Sequence, residues 1–242
     1  MLIKNDLNSI AVHLSLSFLL VLITAAAVSG SSSHRTASIE KSEIPENIRN
    51  SHRNTHSIKA TVYQEKNLRA LNKPVHVKGT VILEKPGMLR WEAFTPEKSI
   101  MVINRKTLTK YYPDAREAEI QSLSDNFIAR NTMTFFSSVM WGALEKMDKR
   151  FRVDISGEEG TLTVTLTPLS KMVSKYLSSI IIIYDEKNGM PQGFEVRTPA
   201  GDKTVTRLED VEMDPVISDD TFMLKLPPNV VVNDFTEEPD FN

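Results

Sequence analysis

Residues 84–91, Glu84-Lys85-Pro86-Gly87-Met88-Leu89-Arg90-Trp91, decide the fold of this chain. They read as the end of one strand, a short turn at Pro86-Gly87 and the start of the next strand. Leu89 and Trp91 are two positions apart and therefore lie on one face of the second strand, while Arg90 faces the other way. The stretch predicts two neighbouring strands with one apolar face.

The same period-two pattern recurs along the chain. Ile58, Ala60 and Val62 alternate with polar residues, and the run 161–167 alternates Thr with Leu or Val. Turn signals such as 187–189 and 199–201 separate the runs. Alternation of this kind is typical of antiparallel sheets with one dry face, and repeated crossover helices are missing. The sequence predicts about eleven strands in a mainly antiparallel α+β fold.

One segment, Asn126 to Met147, lacks alternation and predicts a helix. Its apolar side chains recur at helical spacing and share one face, namely Met133, Phe136, Met140, Leu144 and Met147. Two interpretations stay open. The stripe is either a core-facing helix with methionine as filler, or an adaptable cover that repacks around something it encloses.

Composition limits the possibilities further. The chain has 242 residues, enough for one domain with a sizeable core. It has no cysteine, which excludes disulfides, thiolate metal sites, a cysteine nucleophile and a lipid-modified N-terminal cysteine. The formal net charge of −2, without a long basic run, gives no support for a nucleic-acid partner.

The N-terminus is typical of a secretory signal. Lys4 precedes an apolar run from Leu14 to Val28 that ends in small residues, which predicts a signal peptide over 1–29. The alternative is an uncleaved anchor, for which the run is short. A flexible leader over 30–43, one folded domain over 44–235 and an acidic tail over 236–242 follow, and the acidic end as a whole, 233–242, is expected to be loose.

No pattern in the sequence indicates an enzyme. Gly-x-Ser-x-Gly and P-loop motifs are absent, and Ser38-x-x-Lys41 lies beside the leader without any accompanying motif. His52 and His56 have a spacing that binds metal on helices, but no third ligand follows at a telling distance. We therefore expect no catalytic residue, no metal and no cofactor.

An ordered set of motifs runs over roughly 57–232. The set consists of 85–91 (Lys-Pro-Gly-Met-Leu-Arg-Trp), Pro96, 112–114 (Tyr-Pro-Asp), 166–168 (Leu-Thr-Pro) and 222–230 (Phe-Met-Leu-Lys-Leu-Pro-Pro-Asn-Val). In its order and spacing this set resembles the LolA family of periplasmic lipoprotein carriers. The resemblance implies an incomplete, curved antiparallel barrel whose open side is closed by a helical lid. It implies a monomeric periplasmic carrier that takes the acyl chains of a lipoprotein from an inner-membrane ABC transporter to an outer-membrane acceptor.

The resemblance also implies a set of site residues. A hydrophobic cavity would be lined from the strands, with Leu89 and Trp91 on one strand and Ile100 and Val102 on the next, and from the helical lid. The full set is Leu83, Leu89, Trp91, Ile100, Val102, Met133, Phe136, Met140 and Ile181. Lys85 stands where the family often has an arginine that latches the lid, and lysine offers a compact charge in place of a planar fork of donors.

Several alternatives stay open at this point. The strand residues are either cavity lining or ordinary sheet core. The function is either lipoprotein or lipid transport, or that of an envelope sensor or adaptor that binds lipid as a signal on the same scaffold. A lipid hydrolase or transferase is the third possibility, although the sequence offers no nucleophile for it.

Overall fold

The computed structural model describes residues 46, 48, 55–123, 147–158 and 160–236. Within them the chain forms twelve β-strands and one short 3-10 turn at Val173–Lys175. In chain order the strands are β1 Ser57–Asn67, β2 Val75–Glu84, β3 Met88–Thr95, β4 Ser99–Ile103, β5 Thr107–Tyr112, β6 Glu117–Ser122, β7 Phe151–Glu158, β8 Thr161–Pro168, β9 Ser179–Asp185, β10 Pro191–Arg197, β11 Lys203–Met213 and β12 Val231–Phe235.

All twelve strands belong to one sheet in the order β12-β6-β5-β4-β3-β2-β1-β11-β10-β9-β8-β7. Strands β1 to β6 form one antiparallel meander and β7 to β11 a second, and the two join where β1 pairs with β11. Strands β12 and β7 are the two edges, so within the described residues the sheet does not close into a barrel. The predicted antiparallel architecture is confirmed, with one strand more than expected.

The core lies on one face of this sheet, which we call the buried face. Alternate residues of the strands point to it, as the period of two requires, and most are aliphatic or aromatic. Four members come from outside the strands: Ile48, Met147, Leu177 and Met190. The strand members are Ile58, Ala60, Val62, Val77, Val81, Leu83, Leu89, Trp91, Ala93, Met101, Ile103, Leu108, Leu162, Val164, Leu166, Ile180, Ile182, Tyr184, Phe194, Val196 and Leu208.

Gly79 in β2 makes room for the largest side chain on the buried face. A Cβ atom at this position would lie 2.2 Å from the carbonyl oxygen of Glu92 and 3.1 Å from Cη2 of Trp91. Any larger residue would therefore push the β2 and β3 backbones apart or displace the indole. The glycine lets the two strands approach each other beside a buried tryptophan.

The C-terminal segment reaches the opposite face of the sheet. Arg90, which faces away from Leu89 and Trp91 as predicted, donates a hydrogen bond from Nη1 to the carbonyl oxygen of Thr221. The chain then reaches the far edge of the sheet, where β12 pairs with β6 in parallel. Residues 233–235 therefore belong to a strand, and the expectation that the acidic end is loose from Asn233 onward is wrong for them.

The predicted helix over 126–147 lies outside the described residues except for Met147, which is buried in the core. In the segment before β1 the described residues Glu46 and Ile48 are helical, and Ile48 is fully covered. Within the described part of the chain no helix is long and apolar enough to cross a membrane.

Candidate functional site

Three of the predicted cavity residues come together on the buried face. Trp91 pairs with Val81 of β2, and Leu89 pairs with Leu83 of the same strand. Leu83, Leu89 and Trp91 are each at most 3% exposed. The β2–β3 hairpin that the opening motif predicted therefore supplies a continuous apolar surface at the centre of the sheet.

The prediction that Ile100 and Val102 share the face of Leu89 and Trp91 is wrong by one residue. The connection of three residues between β3 and β4 sets a register in which Trp91 pairs with Met101, and Leu89 with Ile103. Because side chains alternate along a strand, Met101 and Ile103 join the buried face, and Ile100 and Val102 point to the opposite face. Val102 is nevertheless covered there.

Ile181 also lies on the opposite face. Its neighbours Ile180 and Ile182 are fully covered on the buried face, together with Tyr184, whose phenol has a pKa raised by burial. Ile181 is only half-buried, and Ile183 on the same side is exposed. The run of four isoleucines is therefore fully covered on one side only, because the opposite face of β9 is partly open to solvent.

The three predicted lid residues, Met133, Phe136 and Met140, lie outside the described residues. Their role in a cavity stays a prediction.

Lys85, the predicted gate, lies in the β2–β3 turn close to where β1 begins and β11 ends. Its backbone N–H donates to the carbonyl oxygen of His56 over 2.9 Å. The Asp214 carboxylate accepts hydrogen bonds from the backbone N–H groups of His56 and Ser57, which lower the pKa of that carboxyl. Burial lowers the pKa of Lys85, and the Asp214 charge opposes this shift. The turn is thus tied to the point at which the chain enters the sheet.

The buried face is not apolar throughout, a feature that the sequence interpretation missed. The alternation of Ile58, Ala60 and Val62 continues to Gln64 and Lys66, so both polar side chains point to the buried face of β1. Lys66 is fully covered, and burial lowers its pKa to about 8. Extending the period of two from Val62 to Gln64 and Lys66 would have predicted that both side chains lie on the buried face.

Gln64 is bound to the neighbouring strand. Its Nε2 donates a hydrogen bond of 3.0 Å to Oγ1 of Thr206, the residue directly across in β11. Its Oε1 atom is buried and has no hydrogen-bond partner within the described part of the chain. We call the group formed by Gln64, Lys66 and Thr206 the polar end of the buried face.

A depression of about 240 Å³ lies on the opposite face of β1, β2 and β11. Its most exposed side chains include His76 and Arg207, and the Lys78 ammonium lies 5.1 Å from the centre of the Tyr63 ring.

Across residues 55–123, 147–158 and 160–236 no group of three or more His, Asp or Glu side chains could hold a metal ion. The most distinctive candidate site in the described part of the chain is therefore the mainly apolar buried face together with its polar end.

Comparisons with known proteins agree with this architecture. The family model described as outer membrane lipoprotein carrier protein LolA matches residues 53–225. The outer-membrane lipoprotein carrier protein of Aeromonas salmonicida is 24% identical over 156 residues, which cover 64% of this chain and 71% of that protein. The corresponding protein of Coxiella burnetii (strain CbuK_Q154) is 32% identical over 90 residues, and the match covers 37% of this chain and only 40% of that relative.

A solved structure shares the fold. An uncharacterized conserved protein from Thermus thermophilus superposes with a TM-score of 0.52 at 11% identity, covering 80% of this chain and 98% of that one. The family match spans β1 to β11 and the start of the segment that leads to β12. It therefore includes every strand that contributes to the buried face. With this sheet and this match over most of its length, the chain belongs to the LolA family of outer-membrane lipoprotein carrier proteins.

Proposed function

We propose that this protein is a periplasmic carrier that shields the acyl chains of a lipoprotein, or of a related lipid, against the buried face of its sheet. The observation that carries the proposal is the wide apolar face of one open sheet, centred on Leu83, Leu89 and Trp91. No second sheet packs on this face within the described residues. The face can therefore be covered by a different type of element from the rigid second sheet of a β-sandwich.

The energetics of acyl chains favour such a carrier. Each methylene removed from water contributes about 0.8 kcal/mol, so a lipid-modified protein with dozens of methylenes cannot cross an aqueous compartment unaided. Carrier and cargo must also separate, so the affinity of the carrier for the acyl chains cannot be too high. A face whose cover moves aside satisfies both requirements, because chain exchange then depends on opening of the cover.

In this proposal the segment 126–147 forms the helical lid, with Met133, Phe136 and Met140 towards the acyl chains. Lys85, in the β2–β3 turn next to the start of β1, acts as the gate. The N-terminal segment directs the chain to the periplasm, where an inner-membrane ABC transporter supplies the cargo and an outer-membrane acceptor receives it. Methionine suits the lid because its flexible side chain repacks around cargo of different shapes.

The direct test is release of a lipoprotein from membranes. Inner-membrane vesicles that carry a labelled lipoprotein and the ABC transporter are incubated with the purified chain and ATP, and the soluble fraction is analysed for a one-to-one complex. We expect soluble complex with this chain and none with buffer alone. Absence of release, together with isolation of a stable protein partner from the periplasm, would support the sensor or adaptor role and contradict transport.

A matched pair of variants tests whether the buried face is the surface used. Leu89→Gln places a polar amide at the centre of that face, and Phe94→Gln makes the same kind of change on the same strand at an exposed position. Both variants are first compared by circular dichroism and thermal melting. Among folded proteins, Leu89→Gln is expected to lose complex formation and Phe94→Gln to retain it, whereas equal loss in both would argue against the buried face.

A further inference from the structure

The polar end of the buried face presents a buried hydrogen-bond acceptor beside apolar side chains of the same strand. Gln64 is 3% exposed and lies between Val62 and Lys66 on the same face of β1. Its Nε2 donates a hydrogen bond to Oγ1 of Thr206, which holds the side-chain amide against β11. Its Oε1 atom is buried and accepts no hydrogen bond from the described part of the chain.

An acceptor in this state is uncommon, because the large majority of buried side-chain polar atoms have a hydrogen-bond partner. Lys110, a polar residue elsewhere on the same face, has a partner for its charged group. It lies opposite Met101, and its Nζ forms an ion pair of 3.3 Å with Glu119, directly across in β6. Desolvation of the Gln64 oxygen is offset when a bound molecule donates a hydrogen bond to it.

An apolar strip runs along β1 from this acceptor. Between Gln64 and Ile58 the strand rises about 20 Å, at roughly 3.3 Å per residue. The side chains on the buried face over this distance are Val62, Ala60 and Ile58, all at most 1% exposed. Once the cover moves aside, a ligand with its polar group at Gln64 would place its tail along these residues towards the centre of the sheet.

The position of the acceptor limits the chemistry of the polar group. The group must donate a hydrogen bond, and it must lie directly next to the acyl chain, because the apolar strip begins one step along β1 from Gln64. An amide N–H at the carbonyl end of an acyl chain satisfies both conditions. An ester at the same place has only acceptor oxygens and leaves Oε1 without a partner.

We infer that the polar end of the buried face recognises an amide-linked acyl chain, with Oε1 of Gln64 accepting a hydrogen bond from the amide N–H. This inference rests on the proposed function, since it requires that acyl chains occupy the buried face. It adds the chemical class of the linkage. Ester-linked chains bind through the tail alone, and amide-linked chains bind through tail and linkage.

The test compares two ligands with the same palmitoyl chain, N-methylpalmitamide and methyl palmitate. They differ only in that the N–H of the amide is replaced by an oxygen in the ester. Each displaces a neutral, environment-sensitive alkyl dye from the full mature protein, and the readout is the ratio of the amide affinity to the ester affinity. We expect this ratio to be about tenfold higher in the wild type than in Gln64→Met, as one hydrogen bond to a buried acceptor implies. Comparison of the two proteins cancels the difference in hydration between the ligands.

Two further variants make the test specific. Gln64→Glu keeps an acceptor at this position and is expected to retain the preference for the amide. Lys110→Met removes a polar group from the same face, next to Glu119, and is the matched control that leaves the ratio as in the wild type. Melting temperatures of all variants establish that folded proteins are compared.

A third ligand tests the inference on the wild type alone, should Gln64→Met fail to fold. N,N-dimethylpalmitamide keeps the amide carbonyl and has no N–H. We expect it to bind the wild type about tenfold more weakly than N-methylpalmitamide. Equal affinity of the two amides would overturn the inference.

The outcomes separate the two proposals. If the ligands bind but the ratio is the same in the wild type and in Gln64→Met, or if Gln64→Met and Lys110→Met lower it equally, the linkage site is refuted and the carrier function stands. If none of the ligands displaces the dye at micromolar concentration, the carrier function fails and the linkage site fails with it.

Discussion

Replacement of Lys66 should change how the stability of the protein depends on pH. In the folded protein the pKa of Lys66 is about 8, and in the unfolded chain the pKa returns to its ordinary value of 10.5. Between these two values the unfolded chain binds more protons than the folded one. Stability therefore rises with pH across this window, because the penalty for burying the ammonium disappears as the folded protein releases its proton.

The size of the effect follows from the two pKa values. Full removal of the penalty corresponds to about 3 kcal/mol, and between about pH 7 and about pH 9.5 the wild type should gain about 2 kcal/mol from this group. Other titrating groups contribute to the measured slope as well. Subtraction of the Lys66→Met curve from the wild-type curve removes their contribution and leaves that of Lys66.

The assay is urea unfolding of the wild type, Lys66→Met and Lys66→Arg at several pH values across that window. Methionine has no charge to lose, and arginine keeps its charge throughout, so neither variant should show the gain. A difference between wild type and Lys66→Met that stays constant with pH would refute the interpretation of Lys66 as a buried, desolvated cation. A gain that persists in Lys66→Arg would assign it to another group.

Three further predictions concern the sheet. Gly79→Ala should destabilise the protein by about 1–3 kcal/mol in urea unfolding, because its Cβ would collide with the Glu92 carbonyl, whereas Gly157→Ala, with no atom closer than 3.8 Å, should change stability little. Trp91→Ala should cost about 3–5 kcal/mol, against little for the exposed Phe94→Ala, and equal losses would contradict the assignment of the core. The lowered pKa of Asp214 means that its contribution to stability is present above the ordinary pKa of 3.8 and is lost as pH falls further. The stability advantage of the wild type over Asp214→Asn should therefore shrink on acidification, and a constant advantage would count against the Asp214 hydrogen bonds.

Much of the sheet could be predicted from the sequence because alternation and turn residues act locally. The hairpin at Pro86-Gly87 and the opposed directions of Arg90 and Trp91 follow from the period of two alone. The pairing of β3 with β4 did not follow, since the register depends on the geometry of the three-residue connection, and a shift of one residue moved Ile100 and Val102 to the opposite face.

Three other differences have causes of their own. Ile181 sits within four consecutive isoleucines, so the sequence contains no alternation that could assign its face. Strand β12 was missed because all of its residues are exposed, and it is defined by pairing with β6, which is more than a hundred residues away in sequence. Gln64 and Lys66 were missed because their polar character conflicts with a dry face, although the period of β1 places them there.

Acyl chains that bind against the buried face must come close to Trp91, whose fluorescence reports on that face directly. The chain has two tryptophans, so a Trp141→Phe variant leaves Trp91 as the single indole. A fatty acid with bromine atoms along its tail quenches tryptophan fluorescence only at short range. We expect saturable quenching of Trp91 by this ligand, and reversal by an excess of unlabelled fatty acid. Binding of the brominated ligand without quenching of Trp91 would contradict the proposal that acyl chains occupy this face.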